Sequence, residues 1–426
     1  MGYKGAEKQL ALAGVLLIFI CHALWAGAPG RAAPKKQPPS RKLVPKVKPG
    51  VPVTALCFDR TGKILAQGIR GGVALWDLNA ACLKSYLSAR SMEGPIRSLC
   101  FLPGRSLIAC GCGNDGRSGT VHLFPLARSS EEVCLQGAED SILSLACDPS
   151  EKLLAAASAD GRVYVYNLER KRLEHEIQGH SDWVTGIGFL AGGSEFATCS
   201  CDRTVRFWNV KDFSSAGSVT FSEAVWSFGI GPRGQLIAAA LAGPTEQVVE
   251  VRRRKNGRLF FSLFPGARPL TLFWHHRSDR LFVGCSDGAL RVYDMRRRRL
   301  VQTLRKDGDW ITSVALRADG KVCAVGYGGG EVNLWNMQQG RLVATLYLLG
   351  SGNKDFAIVT AGGKVVCGDS MRILDTAKAG GGSSRGWFVD REAVLSALKA
   401  ADRPVEKQAR KRKPKPVRPG RSKKRR

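Results

Sequence analysis

Residues 179–210 read GHSDWVTGIGFLAGGSEFATCSCDRTVRFWNV, and their spacing decides the fold. A Gly-His pair opens the stretch. An alternating segment (VTGIGF), a cluster of turn-formers (LAGGS), an apolar run (EFATCS), a second turn (CDR) and a short alternating segment ending in an aromatic (RFWNV) follow. Alternation with period two, punctuated by glycine, aspartate and serine, predicts short strands joined by tight turns. The aromatic at Trp208 recurs along the chain: ALWDL at Trp76, HLFPL at Phe124, YVYNL at Tyr166, RVYDM at Tyr293 and NLWNM at Trp335. Successive gaps are 48, 42, 42, 85 and 42 residues. The gap of 85 is two periods and puts a further unit at Val251 in VVEVRRR. The gap of 48 absorbs extra residues in CGNDGRSGT (112–120).

A second column sets the register at Phe58, Phe101, Cys147, Phe189, Ile230, Trp274 and Leu316. After each stand turn-formers and an apolar run, as in DRTGKILA, DPSEKLLA and GPRGQLIA, which predicts a strand buried on both faces. Each of seven units is therefore four short antiparallel strands. One such sheet cannot bury its own faces, whereas seven packed around an axis can. The expected class is all-β, a seven-bladed propeller.

On these residues the chain resembles the WD-repeat (WD40) β-propeller family over residues 51–349. The fourth unit carries the fullest match: Gly179-His180 at its opening, Thr198 in the second strand, Asp202 in the next turn and Trp208 closing the third. The resemblance implies a structural hydrogen-bond chain from Trp208 through Thr198 and His180 to Asp202, which gives these residues a role in the fold rather than in catalysis. Other units depart from it. Asp160 and Asp287 keep the turn carboxylate, Ala138-Glu139 replaces Gly-His before the third unit, and Arg70 and Gly329 occupy the turn position of the first and seventh.

The flanks differ in kind. Residues 10–28 (LALAGVLLIFICHALWAGA) form a nearly uncharged run of 19, close to the roughly 30 Å of a bilayer core at about 1.5 Å per residue. Residues 1–28 therefore read as a membrane anchor, with a cleaved export signal near Ala26-Gly27-Ala28 as the alternative. Five cations from Arg31 to Lys42 follow the run against two lysines before it, and the positive-inside tendency favours the anchor. Residues 29–50 are a basic Pro-rich linker. Beyond the propeller, LVATLYLL (342–349) serves as its last outer strand, with pairing of residues 43–48 at the closing blade left open. Residues 350–402 read as a hairpin turning at Gly362-Gly363, a flexible connector AGGGSS (379–384) and a short helix with Val394, Leu395 and Leu398 on its apolar face. This order is similar to a module following many bacterial propellers, matched loosely by Thr360, Gly362, Gly363 and Ser370, and it favours a bacterial source. Residues 403–426 are a basic tail expected to be disordered.

Charge is concentrated at the ends. The chain carries +29, of which residues 1–28 hold a net +1, residues 29–50 seven basic side chains and no acid, and residues 403–426 thirteen basic and one acid; that leaves +9 for the 352 residues between the two basic segments. This excludes an acidic disordered scaffold and points to anionic partners. Thirteen scattered cysteines do not make a disulfide framework. The C-x-C pairs Cys110/Cys112 and Cys199/Cys201 lack further ligands at finger-like spacing, so no metal is expected. No cofactor or catalytic residue is expected either: G-x-S-x-G, H-E-x-x-H, phosphate-loop and dinucleotide motifs are absent, and His275-His276 falls in a surface turn.

Two surfaces remain. In the family, loops leading into the innermost strands share the usual docking face with loops after the second strands. There this chain offers Trp183, Trp226, Arg97, Arg268 and Trp310, and Trp and Arg are the types enriched in binding hot spots. On the opposite face, adjacent units place Arg252, Arg253, Arg254, Lys255 and Arg296, Arg297, Arg298, Arg299, a candidate anion patch for nucleic acid, lipid headgroups or acidic polymer. The expected function is a non-enzymatic protein-interaction scaffold with an unidentified protein partner, tethered at or exported across a membrane, its basic tails on anionic surfaces. The alternative is a nucleic-acid-associated propeller binding through its polybasic tail.

Overall fold

A computed structural model describes residues 51–126, 131–243, 248–275, 277–306, 309–349, 356–363, 365–367 and 391–400. The expectations for residues 10–28, 29–50, 379–384, 403–426 and His276 lie outside these. Seven antiparallel sheets follow one another in chain order, each strand paired with its sequence neighbour. Blade 1 comprises β1 (Ala55–Phe58), β2 (Ile64–Ile69), β3 (Gly72–Asp77) and β4 (Cys82–Leu87). Blade 2 comprises β5 (Ser98–Leu102), β6 (Leu107–Asn114), β7 (Ser118–Pro125) and β8 (Val133–Ala138), and blade 3 β9 (Ile142–Cys147), β10 (Leu153–Ser158), β11 (Arg162–Asn167) and β12 (Arg172–Gln178). Blade 4, the stretch quoted first, comprises β13 (Val184–Phe189), β14 (Glu195–Ser200), β15 (Thr204–Asn209) and β16 (Ser215–Thr220). Blade 5 comprises β17 (Val225–Ile230), β18 (Leu236–Leu241), β19 (Val249–Arg253) and β20 (Leu259–Leu263), and blade 6 β21 (Pro269–His275), β22 (Arg280–Cys285), β23 (Ala289–Asp294) and β24 (Arg299–Arg305). Blade 7 runs β25 (Ile311–Leu316), β26 (Val322–Tyr327), β27 (Glu331–Asn336) and β28 (Arg341–Leu348), then gains the hairpin β29 (Phe356–Thr360) and β30 (Val365–Cys367). Seven units were expected and seven blades are present.

The second strand of every blade is buried almost throughout, as its apolar run requires when a sheet lies on either side. The ring closes by packing blade 1 on blade 7: Val53, Leu65 and Trp76 share one core with Val332, Leu334 and Leu346. Helix α1 (Arg391–Ala400) adds Val394 to that core, with Leu395 and Leu398 packed against it. Four of the six extra residues lengthen a hairpin, since the β6–β7 ladder continues to Asn114 opposite Ser118, and the other two precede β6.

Innermost strands splay apart and cannot form a ladder across blades, so hydroxyls bridge them. Ser98 Oγ accepts from Leu145 N (2.8 Å), Ser144 Oγ from Ile187 N (3.3 Å), Ser227 Oγ from Leu272 N (3.0 Å) and Ser313 Oγ from Leu56 N (3.0 Å). Thr185 Oγ1 donates to Val225 O (2.8 Å), and Thr54 Oγ1 to Ile96 O. Six of the seven junctions are stitched in this way among the described residues, the last joining blade 7 to blade 1. Each bond satisfies a backbone group that burial would otherwise penalise.

Candidate docking faces

Antiparallel order puts the loops before innermost strands on one rim with the turns after second strands. Contacts fix this arrangement: Ala159 N donates to Ser141 O (3.0 Å), Cys201 N to Trp183 O (3.0 Å) and Gly328 N to Trp310 O (3.1 Å).

In blade 4 the predicted chain is continuous. Trp208 Nε1 donates to Thr198 Oγ1 (2.9 Å), Thr198 Oγ1 lies 2.7 Å from His180 Nε2, and His180 Nδ1 lies 2.8 Å from Asp202 Oδ2. A carboxylate only accepts, so His180 carries its proton on Nδ1 and takes the threonine hydroxyl on Nε2. The other Asp202 oxygen accepts from Thr204 N (2.9 Å) and Oγ1 (2.6 Å). Burial raises the Asp202 pKa, but the hydrogen bonds from His180 and Thr204 outweigh it and hold the carboxyl well below the usual range.

Elsewhere other chemistry fills the same space. Trp76 Nε1 donates to Gln67 Oε1 (2.8 Å) in blade 1, and Tyr164 Oη to Asp160 Oδ2 (2.8 Å) in blade 3. In blade 2 buried His122 meets Glu132 and Thr120. In blade 6 Arg291 grips Asp287 with both terminal nitrogens (2.9 and 2.7 Å), which holds that carboxyl below its ordinary value. In blade 7 Lys306 Nζ donates to Thr345 Oγ1 (2.8 Å) and Asn333 Oδ1 (3.4 Å).

Blade 5 corrects the register read from the period. Ile237 pairs with Arg252 as Phe196 pairs with Trp208, so Arg252 rather than Val251 holds the aromatic position. Its guanidinium donates to Glu250 Oε2 (2.7 Å) and Gly257 O (3.1 Å), and lies over the Phe221 ring. Glu250 also accepts from Ser222 Oγ (2.8 Å). An ion pair thus replaces the indole-hydroxyl chain.

On the loop rim, Trp183, Arg268 and Trp310 each stand immediately before the innermost strand of blades 4, 6 and 7; the tryptophans are half-buried and Arg268 is exposed. The Trp310 indole lies flat on Gly328, where an added Cβ would come within 2.5 Å of the ring. Trp226 sits two positions later, on the bulge of β17, where an unpaired residue is re-aimed out of the ladder. Blades 4 to 7 therefore offer four of the five residues in sequence. Arg97, on blade 2, is engaged instead: Nη2 donates to Asp115 at 2.7 and 3.0 Å.

The opposite rim holds the basic turns, and the structure divides them. Arg252 is committed to Glu250, and Arg254 donates to Glu195 Oε1 (2.7 Å) while covering Phe207. Both are ion-paired and only partly exposed, at 20% and 24% of the side chain, which sets them apart from the other six. Arg296 pairs at 3.4 Å with Asp279 from an exposed position. Arg253, Lys255, Arg297, Arg298 and Arg299 are exposed. Arg253 and Arg298 do bring the two blades together, stacking on the Phe260 ring at 4.5 and 4.3 Å.

Cys110, Cys112 and Cys199 are buried and Cys201 is partly so; desolvation pushes the Cys199 and Cys201 thiols up to about 12. Among the described residues no three His, Cys, Asp or Glu side chains group as a metal site. His275 Nδ1 lies 2.6 Å from Ser278 Oγ in a cleft between blades 6 and 7 lined also by Arg277, Arg280 and Asp319. The inter-blade hydroxyls and the Glu250–Arg252 pair were missed in the sequence. Ser or Thr recurring near the start of innermost strands was the available signal for the former.

Seven blades, six of four strands and the seventh extended to six, define the class, a β-propeller. The model for the WD domain, G-beta repeat (WD40) matches residues 130–167 and 171–209, which cover blades 3 and 4 through their second hairpins. The chain is also similar to Protein groucho of Drosophila melanogaster, 27% identical over 210 residues. That match spans 48% of this chain and 28% of that relative. Two of the seven blades thus carry recognisable WD40 repeats, and propellers built of such repeats are typically protein-interaction scaffolds.

Proposed function

We propose that the protein is a non-enzymatic scaffold that docks a protein partner on its loop rim and is held at, or exported across, a membrane by residues 10–28, with its basic ends on anionic surfaces. The observation that carries the docking reading is the placement of Trp183, Trp226, Arg268 and Trp310 at the mouths of four successive blades, none of them hydrogen-bonded into a blade-4-type network. Large side chains at low conformational cost on a rigid rim are what a hot-spot cluster needs. Among the described residues no helix is long and apolar enough to cross a membrane, and the tether reading rests on the sequence of residues 10–28.

A photo-crosslinker at Trp226 should capture a discrete protein in cells of the source organism. Trp183→Ala with Trp310→Ala should cut that capture about tenfold or more while the chain stays folded. Undiminished capture refutes the docking face. Membrane fractionation with and without residues 1–28 tests the tether, and a soluble, unprocessed full chain refutes it. Tail-mediated nucleic-acid binding, favoured by thirteen cations in residues 403–426, predicts instead an affinity that falls steeply with salt and vanishes without that tail.

A further inference from the structure

The outermost strand of a blade is an open edge, and soluble proteins blunt such edges with charge or cover them. In six blades this strand carries a bulge opposite the aromatic column. The bulged residue is Lys84 in blade 1, Glu174 in blade 3 and Ala216 in blade 4. In blade 7 it is Val343, and there β29 extends the sheet and α1 packs on it. Blades 5 and 6 have Phe260 and Val301 at this position and end at β20 and β24. The bulge turns Leu300 and Val301 outward together, so that they are 48% and 40% exposed, with Leu259 of the neighbouring blade at 50%. Arg298 of blade 6 stacks on Phe260 and Phe261 of blade 5 (4.3 and 5.4 Å), which makes the two edges one surface. Exposed cations border it: Arg253, Lys255 and Arg258 on one turn, Arg297, Arg298 and Arg299 on the other. The one acid between Arg296 and the end of β23, Asp294, accepts from the Arg297 backbone N–H.

We propose that this edge of blades 5 and 6 lies against an anionic lipid bilayer, as a membrane contact of the folded body that is separate from residues 10–28. The cations are drawn to the negative surface of an anionic leaflet, and the aliphatic side chains reach into the boundary between headgroups and acyl chains. The unpaired backbone of an open edge bars deeper insertion, so the contact is shallow. Nucleic acid would use the cations but gains nothing from Leu259, Leu300 and Val301. Three aliphatic residues are too few for the core of a protein interface of roughly 800 Å² per partner, whereas a bilayer demands no matching shape.

Hydrogen exchange on the full chain tests this with vesicles of phosphatidylcholine alone and with added phosphatidylserine. Exchange should slow in Leu259–Leu263 and Arg299–Arg305 on the anionic vesicles only. The variant Leu259→Ser, Leu300→Ser, Val301→Ser keeps every charge and should weaken anionic-vesicle binding about tenfold or more. A second variant, Arg253→Gln with Arg297→Gln and Arg299→Gln, should abolish the same protection. A chain that binds vesicles without protection at these strands overturns the proposal and assigns binding to the tails or to residues 10–28. Equal protection by a single-stranded oligonucleotide, undiminished in the serine variant, overturns it in favour of nucleic acid.

Discussion

Replacing Asp202 by alanine probes the blade 4 network most directly. The carboxylate accepts from His180 Nδ1, Thr204 N and Thr204 Oγ1, and the His180 and Asp202 side chains are only 1% and 5% exposed. Its removal strands an imidazole N–H and a backbone N–H out of reach of bulk water. Breaking a buried partnered group of this kind costs about 3–5 kcal/mol, which for a domain of this size lowers Tm by roughly 6–10 °C. Thr198→Val keeps the shape and removes the oxygen joining Trp208 to His180, at about 2–4 kcal/mol. Because His180 links the two sites, the double variant should cost at least ~1 kcal/mol less than the sum. The assay is denaturant unfolding followed by tryptophan emission, reading midpoints at constant m. Costs that add to within about 0.5 kcal/mol would refute a connected chain, as would an Asp202→Ala variant within that margin of the parent. The network also predicts a pH dependence. The Asp202 carboxyl titrates lower when folded than unfolded, so its stabilisation is complete above about pH 4 and is lost as pH falls toward the folded value. Asp202→Asn should flatten that acid limb.

Further predictions separate structural from surface groups. Arg252→Ala leaves Glu250 buried without its partner and should cost about 3–5 kcal/mol, while Arg297→Ala, on the surface, should stay within about 0.5 kcal/mol; equal effects in thermal unfolding would contradict the division of the arginines. Gly328→Val drives a side chain into the Trp310 ring and should destabilise by at least ~1–3 kcal/mol while shifting tryptophan emission. Cys110 and Cys199 are fully buried with raised thiol pKa values. They should resist alkylation at pH 8 in the native chain and react on unfolding, and mass mapping that finds them labelled natively would count against the packing.

The legible part of this chain is its repetition. Trp76, Trp208 and Trp335 stand where an alternating strand must end, and DRTG, DPSE and GPRG are turn signals that act within a few residues, so blade number and strand order follow from local chemistry. The ladder register of blade 5 was less legible, because a charged residue occupies a position whose other holders are aromatic. Arg252 fits only because Glu250, two residues earlier, accepts from it, while Ser222, in the preceding loop, donates to the other oxygen of Glu250. No period in a single strand carries that information.

The chain's own pattern was enough to establish seven sheets and the polycationic ends, since each depends on residue type and spacing alone, whereas the polar chain of blade 4 was implied by the resemblance to WD-repeat propellers. Which arginines are spent inside the body and which face outward was decided only in three dimensions, where Glu195 reaches Arg254 from another blade across 59 residues. The same holds for the outer strands of blades 5 and 6. Among the described residues blade 7 alone receives covering strands, because a sheet's edge is hidden or bare according to what packs beyond it.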